Sequence, residues 1–407
     1  MNLHVRPILS ALLRNRTGAI LVSLQIAIAL AVLVNAVYIV KQRVDKIGRP
    51  TGMDVENIFT IASEGFTEDF DLESTIREDV AWLRSLDGVV AVTPINAVPL
   101  SGGGSSTGLS VEPGDTVNAK PANYFEIDHQ GLEALGVRLV AGRAFHEHEI
   151  LPPRSLEKAS DFAPQIIVTK ALARELFPDG DALGKVVYDM NRTPATIVGI
   201  VEHMHGSWVS WDKVDHVFFA PRLAFPFGPR SNYLVRTKPG RLHETMRLAE
   251  EYLSTSNPNR VIAAVRPLET YRKRSYLGDR NMGIFLVAVT TLLLAITALG
   301  IFGLATFNVS TRTKQIGTRR AVGARRADIV RYFLVENWLI TTTGVVVGCA
   351  LALGAGYWLS VEYELPRLDL YYLVGGVLVL WILGQLAAWQ PARRAASIPP
   401  AVATRTV

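Results

Sequence analysis

Residues 17–40 read TGAILVSLQIAIALAVLVNAVYIV, without a single charge. A helix rises 1.5 Å per residue, so about 20 apolar residues cross the ~30 Å hydrocarbon layer of a bilayer. Further along, residues 281–311, 337–361 and 370–392 are equally free of Asp, Glu, Lys and Arg. These runs place four transmembrane helices at 17–40, 281–308, 337–361 and 370–391. Buried helices of a water-soluble protein are the alternative, and four uncharged runs of this length argue against it. Of the 407 residues 49% are hydrophobic, yet 19% are charged, so a large soluble part accompanies the spans. The expected fold class is a membrane protein of four transmembrane α-helices with a large α+β extracytoplasmic domain between the first and second spans.

The basic residues set an orientation. Arg6, Arg14 and Arg16 precede the first span, and Arg312, Lys314, Arg319, Arg320, Arg325, Arg326 and Arg331 fill the loop 309–336. The loop 362–369 offers only Arg367 against Glu362, Glu364 and Asp369. By the positive-inside rule the N-terminus (1–16), the basic loop and the C-terminus (392–407) are cytoplasmic, and the stretch 41–280 is outside. This asymmetry accounts for the net charge of +5 without a nucleic-acid partner. The first apolar run exceeds the roughly 7–15 residues of a signal-peptide core and is read as a retained span. Cys349, the sole cysteine, lies in the third span, so the outside domain has no internal disulfide.

Within that domain, a helix at 72–86 separates strands at 57–62 and 89–93, and a helix at 242–254 separates strands at 233–237 and 261–266. A strand at 166–169, a helix at 171–176 and a strand at 196–201 come between, followed by a Pro-rich break at 221–229. The two outer strand–helix–strand sets mirror each other, as a domain split by an insertion would. After the first span Val40, Val44 and Ile47 keep helical spacing up to Pro50, which describes either a stalk leaving the membrane or a frayed interfacial turn. Gly344, Gly348, Ala352 and Gly356 recur every fourth residue, either as a face for close helix packing or as the ordinary glycine content of membrane helices. The second uncharged run is longer than a bilayer needs and should project from it.

Catalytic chemistry finds little support. The segment 180–186, GDALGKV, lacks the spacing of a phosphate-binding loop and its magnesium-binding hydroxyl, and reads as a turn. His146, His148 and Glu149, or Glu202, His203 and His205, offer metal-ligand types without a zinc-protease spacing. No nucleophile elbow is expected, although residues 104–108, GSSTG, match its five-residue pattern. No catalytic residue, cofactor or metal is expected in this chain.

Residues 312–336, RTKQIGTRRAVGARRADIVRYFLVE, resemble the signature of the MacB/FtsX-like ABC transporter permeases, and residues 391–400, PARRAASIPP, resemble that family's closing motif. In the outside domain AGRAF (141–145), LFP (176–178) with LGK (183–185), and VGIV (198–201) are similar to motifs of the MacB-type periplasmic core domain. The resemblance implies a split Porter-like part, about 55–122 and 231–268, with a Sabre-like insertion at about 123–225. It implies that 312–324 form a coupling helix docking on an ATPase, with Arg312, Lys314, Ile316, Gly317, Arg319, Arg320, Ala321, Gly323 and Ala324 as its residues. Gln315, Thr318 and Val402 depart from the family pattern, which a heterodimer with a stronger partner permease would tolerate.

The same resemblance implies a permease in the bacterial inner membrane that pairs with a second permease, as a homo- or heterodimer, and with cytoplasmic ABC ATPases that bind ATP and magnesium. ATP-driven movement would then be transmitted to the outside domain. One functional class is export or extraction of a peptide, antibiotic or lipid-linked cargo, to which a periplasmic adaptor and an outer-membrane channel would belong. The other is regulation of a sensor kinase or cell-wall hydrolase.

Overall fold

A computed structural model describes residues 16–153, 162–223, 228–362 and 368–399. Arg6, Arg14, Glu364, Arg367, Pro400, Val402 and part of the Pro-rich break lie outside the described residues. The chain forms two compact units, residues 49–278 and a helical unit made of everything before and after them.

In chain order, α1 (Arg16–Ile47) is followed by β1 (Ile58–Gly65), α2 (Leu72–Ser85) and β2 (Val89–Pro94). Next come β3 (Ser105–Leu109), β4 (Lys120–Ile127), α3 (Gly131–Leu135), β5 (Leu139–Gly142), β6 (Gln165–Thr169), α4 (Lys170–Leu176), β7 (Val186–Tyr188), β8 (Pro194–Val201) and β9 (Val217–Pro221). The chain closes with β10 (Arg230–Thr237), α5 (Leu242–Ser256), β11 (Arg260–Pro267), α6 (Leu268–Ser275), α7 (Leu277–Thr311), α8 (Thr313–Ala321), α9 (Arg326–Glu362) and α10 (Leu370–Ser397).

The four long helices, α1, α7, α9 and α10, are each long and apolar enough to span a membrane. At 35 residues α7 is ~52 Å long, well beyond the ~30 Å it has to cross. The small face of α9 receives α1. A Cβ on Gly344 would stand 2.6 Å from the Ser23 carbonyl oxygen, and one on Gly348 2.9 Å from the Leu30 Cβ. Ala352 is fully buried beside them. Polar side chains cross the same contact: Ser23 Oγ donates to the Ile340 carbonyl at 3.1 Å, and Asn35 Nδ2 to that of Ala352 at 3.2 Å. Asn337 Nδ2 does the same from α9 to Gly384 of α10, at 2.9 Å. With no hydrophobic driving force between helices in lipid, close backbone approach and such bonds hold a bundle together.

In the insertion, the two mirrored strand–helix–strand sets build one antiparallel sheet in the order β11-β1-β10-β2, with Ile61 opposite Tyr233. Asp71 caps α2 by accepting the Ser74 amide at 3.0 Å. The buried Asp79 on α2 pairs with the buried Arg260 on β11 and accepts the Tyr233 hydroxyl at 2.6 Å, so polar groups from both halves of the split lobe meet inside its core. The second sheet runs β3-β4-β9-β6-β8-β5 with β7 beside β8, and is mixed: β4–β9 and β6–β8 are parallel. Strands β3 and β4, which begin before residue 123, pair within this second sheet, so by sheet membership the second lobe starts at β3. Ile166, Val168, Leu172, Val187, Ile197 and Phe218 form its core.

Val40, Val44 and Ile47 all lie in α1, which continues unbroken from the span. The segment 268–280 does not run straight into the second span. Its first part forms the separate helix α6, which ends at Ser275, and after Tyr276 the residues from Leu277 on already belong to α7.

Candidate coupling site

The loop between α7 and α9 carries the short helix α8, and long-range contacts fix its mounting. Arg312, between α7 and α8, places its guanidinium 3.0 Å from the carboxylate of Glu336 on α9, whose side chain is only 2% exposed. The same guanidinium donates to the Tyr332 hydroxyl at 3.3 Å, and Arg319 lies over the Tyr332 ring at 4.9 Å. Ile316 is buried against Ile329, Phe333, Ala392, Ala395 and Ala396. Arg320 donates to the Ala396 and Ile398 carbonyls at 3.0 and 2.8 Å. Start, middle and end of α8 are thus each tied to α9 or α10.

Beyond α8 the chain turns back at Gly323, whose φ of +103° is left-handed backbone that favours glycine. Arg325 N donates to Asp328 Oδ2 at 3.1 Å as α9 begins. Between these pieces opens a concavity of about 500 Å³, lined by Arg319, Gly323, Ala324, Arg325 and Tyr332 among others. Val322 on its rim is 84% exposed.

The residues singled out from the sequence therefore divide. Arg319, Gly323 and Ala324 line the concavity, whereas Arg312, Ile316, Gly317 and Arg320 face the bundle or pair within it. Lys314 and Ala321 are exposed and lie outside the concavity lining. The expectation that Ile316 offers its side chain to a partner is corrected: a methyl-bearing branch at that position is consumed by contacts to α9 and α10. Val322, Tyr332 and Glu336 belong to the site and were not among the expected residues. An exposed valine next to a glycine turn is the one local signal that could have shown the first of them.

At the other end of the helical unit, Asp279 near the start of α7 receives Arg43 and Lys46 of α1, the latter at 3.3 Å. The carboxylate is only 11% exposed, which strengthens both pairs relative to surface ones.

The remaining candidates from the sequence are engaged elsewhere. Glu149 takes two hydrogen bonds from Arg143, at 2.6 and 2.8 Å, and these bonds hold its carboxyl pKa down at about 2. His203 Nε2 lies 2.8 Å from the Pro50 carbonyl oxygen, and His205 is buried. Among the described residues no three His, Cys, Asp or Glu side chains converge as a metal site. Gly184 sits in a turn at φ +76°, its amide donating to the Ile197 carbonyl.

Four apolar helices, a two-lobed α/β insertion after the first and a clamped helix between the second and third define a polytopic membrane protein of the permease class. The chain belongs to the family that joins a MacB-like periplasmic core domain, matched over residues 19–277, to an FtsX-like permease C-terminal region, matched over residues 287–400. A macrolide export ATP-binding/permease protein MacB of Chromobacterium violaceum is 25% identical over 332 residues, covering 77% of this chain and 49% of that one. The MacB 1 protein of Yersinia pestis is 26% identical over 412 aligned positions, covering 96% and 58%. The chain thus spans about half to three-fifths of the length of these curated relatives. An uncharacterized ABC transporter permease of Bacillus subtilis, YvrN, is 21% identical over 300 residues, with 71% of each chain covered. The periplasmic region of MacB from Actinobacillus actinomycetemcomitans is a structural neighbour at TM-score 0.36 and 17% identity, covering 56% of this chain and 97% of that one.

Proposed function

We propose that the chain is the permease subunit of an ABC transporter, taking ATP-driven movement from a separate cytoplasmic ATPase and delivering it to the α/β insertion outside the membrane. The mounting of α8 carries this reading. A helix pinned at Arg312, Ile316 and Arg320, with an open concavity beside Arg319 and the turn Val322–Ala324 that follows it, passes a push on that side into the spans. The ATPase occupies the concavity beside Val322, and the two states of that contact bias two arrangements of the helical unit, as any ligand-driven switch requires. The four apolar runs 17–40, 281–311, 337–361 and 370–392 contain no Asp, Glu, Lys or Arg, which favours transmitted movement over conduction of a charged solute. In this reading the chain hydrolyses no ATP itself, pairs with a second permease, and has both termini in the cytoplasm of a bacterium. Its cargo is a peptide, antibiotic or lipid-linked molecule handled outside the inner membrane, in keeping with relatives named for macrolide export.

The test is purification of the chain with and without its co-expressed ATPase subunit. ATP turnover is expected only from the complex, and it should change when Val322 is altered. Turnover by the chain alone that survives removal of contaminants would refute the proposal.

A further inference from the structure

The helices α9 and α10 frame a second groove, of about 520 Å³, separate from the coupling concavity. Arg331, Leu334, Val335 and Trp338 line it from α9 at spacings of three, four and seven, which puts them on one helix face. Trp389 and, one turn later, Arg393 line it from α10. Because Arg331 lies near the start of α9 and Arg393 near the end of α10, both charges fall at the same end of these adjacent helices. The two tryptophans stand further along the span and are 45% and 49% exposed, with Trp338 stacked on Trp381 at 6.3 Å between ring centroids. No acidic side chain lines the groove, and neither arginine has an ion pair or side-chain hydrogen bond among the described residues.

Two uncompensated guanidinium groups at the mouth of an apolar groove call for an anion with an apolar tail. Guanidinium forks match phosphate oxygens in pairs, and tryptophans settle at the headgroup level of a bilayer. We infer that this groove holds an anionic phospholipid of the surrounding membrane, its phosphate between Arg331 and Arg393 and an acyl chain along Leu334, Val335 and the two tryptophans. The inference needs only that α9 and α10 lie in a bilayer. It does not depend on the ATPase reading or on which leaflet this end faces.

The experiment places the full chain in nanodiscs of equal phosphatidylglycerol and phosphatidylcholine, with bromine-labelled acyl chains on one lipid or the other. Tryptophan quenching is read as the difference between the wild type and the Trp338→Phe/Trp389→Phe variant, so that the other tryptophans cancel. Quenching of these two residues should be stronger when the label is on phosphatidylglycerol, with an enrichment of about fivefold per arginine. Arg331→Gln/Arg393→Gln should abolish the preference, and Arg331→Lys/Arg393→Lys, which keeps the charge, should retain most of it. Equal quenching by both lipids in the wild type, or a preference surviving in the glutamine variant, would overturn the assignment. Absence of quenching by either lipid would do so as well, because a protein surface would then cover the groove.

Discussion

Arg312 and Glu336 are 24 residues apart in sequence and 3.0 Å apart in space, and their pair fixes the start of α8 to α9. The carboxylate is buried, so removing the arginine strands a charge. Arg312→Ala should destabilise the helical unit by about 3–5 kcal/mol, with Glu336→Gln in the same chain recovering part of the loss. Thermal unfolding in micelles measures both, and a wild-type melting temperature for Arg312→Ala would show the pair to be dispensable.

Ile316 and Val322 should respond differently to the same change. Ile316→Asp buries an unpartnered carboxyl group in a packed cluster, where it takes a proton rather than stay charged, and even the neutral polar group lowers stability by about 2–7 kcal/mol. Val322→Asp alters an exposed side chain and should leave folding intact while weakening capture of the ATPase subunit. Undiminished co-purification with Val322→Asp would remove the concavity from the docking surface.

Orientation is checked by thiol labelling in a Cys349→Ser background. A cysteine at Ser106 or Asp181 should react with a membrane-impermeant reagent in intact cells, and one at Arg326 only after lysis. All three side chains are exposed, so access by the reagent is limited by the membrane alone.

If movement passes along α1 and α7, the Asp279 clamp is part of its path. Asp279→Asn removes the partner of both Arg43 and Lys46 and should uncouple ATP turnover from function without preventing ATPase binding. A disulfide between Val44→Cys residues of two paired permeases should also stop function until reduced, since Val44 is 57% exposed and available to a neighbour. Full function with the cross-link complete would exclude relative motion of these helices.

The insertion should lose stability in mild acid. Burial, aided by the neighbouring charges of His203 and Arg49, holds His205 down to about 4, below the ordinary histidine value of about 6.5. The unfolded chain therefore binds the extra proton between these values, so stability is full above pH ~6.5 and falls as pH drops toward 4. Between pH 7 and pH 5 the loss from this residue is about 2 kcal/mol. Urea unfolding of residues 49–278, wild type against His205→Gln, isolates it, and identical pH profiles would contradict the assignment.

Much of this architecture could be read in the residues. Charge-free runs locate the four helices, and the mirrored segments around 72–86 and 242–254 pair into one sheet as their symmetry suggests. What escaped depends on partners distant in the chain. Strand β9 is buried at every position, so its residues Val217–Pro221 show no alternation, and the Pro-rich break beside it hides its type. Strand β3, with Ser, Thr and Gly, has too little apolar pattern to announce itself. In α8 the apolar residues are few, and it is residues on other helices, Phe333 and Ala392 among them, that determine that Ile316 turns inward. The roles of Tyr332 and Glu336 rest on Arg312 reaching them, a fact of packing that no spacing encodes.

The second span is the least enclosed part of the long bundle, together with α10. Only 17% of its most apolar window is buried, against 50% for α1, and Ile284, Phe285, Leu292 and Leu299 are all exposed. Yet each end is held firmly, by Asp279 in its first turn and by Arg312 just after its last. Such a helix is a connecting rod: its ends must stay attached, while its middle is free to differ. Sequence drift in this protein should therefore fall along the shaft of α7 and spare the two joints, so that the joints, more than the apolar shaft, limit which permeases can exchange this segment and still work.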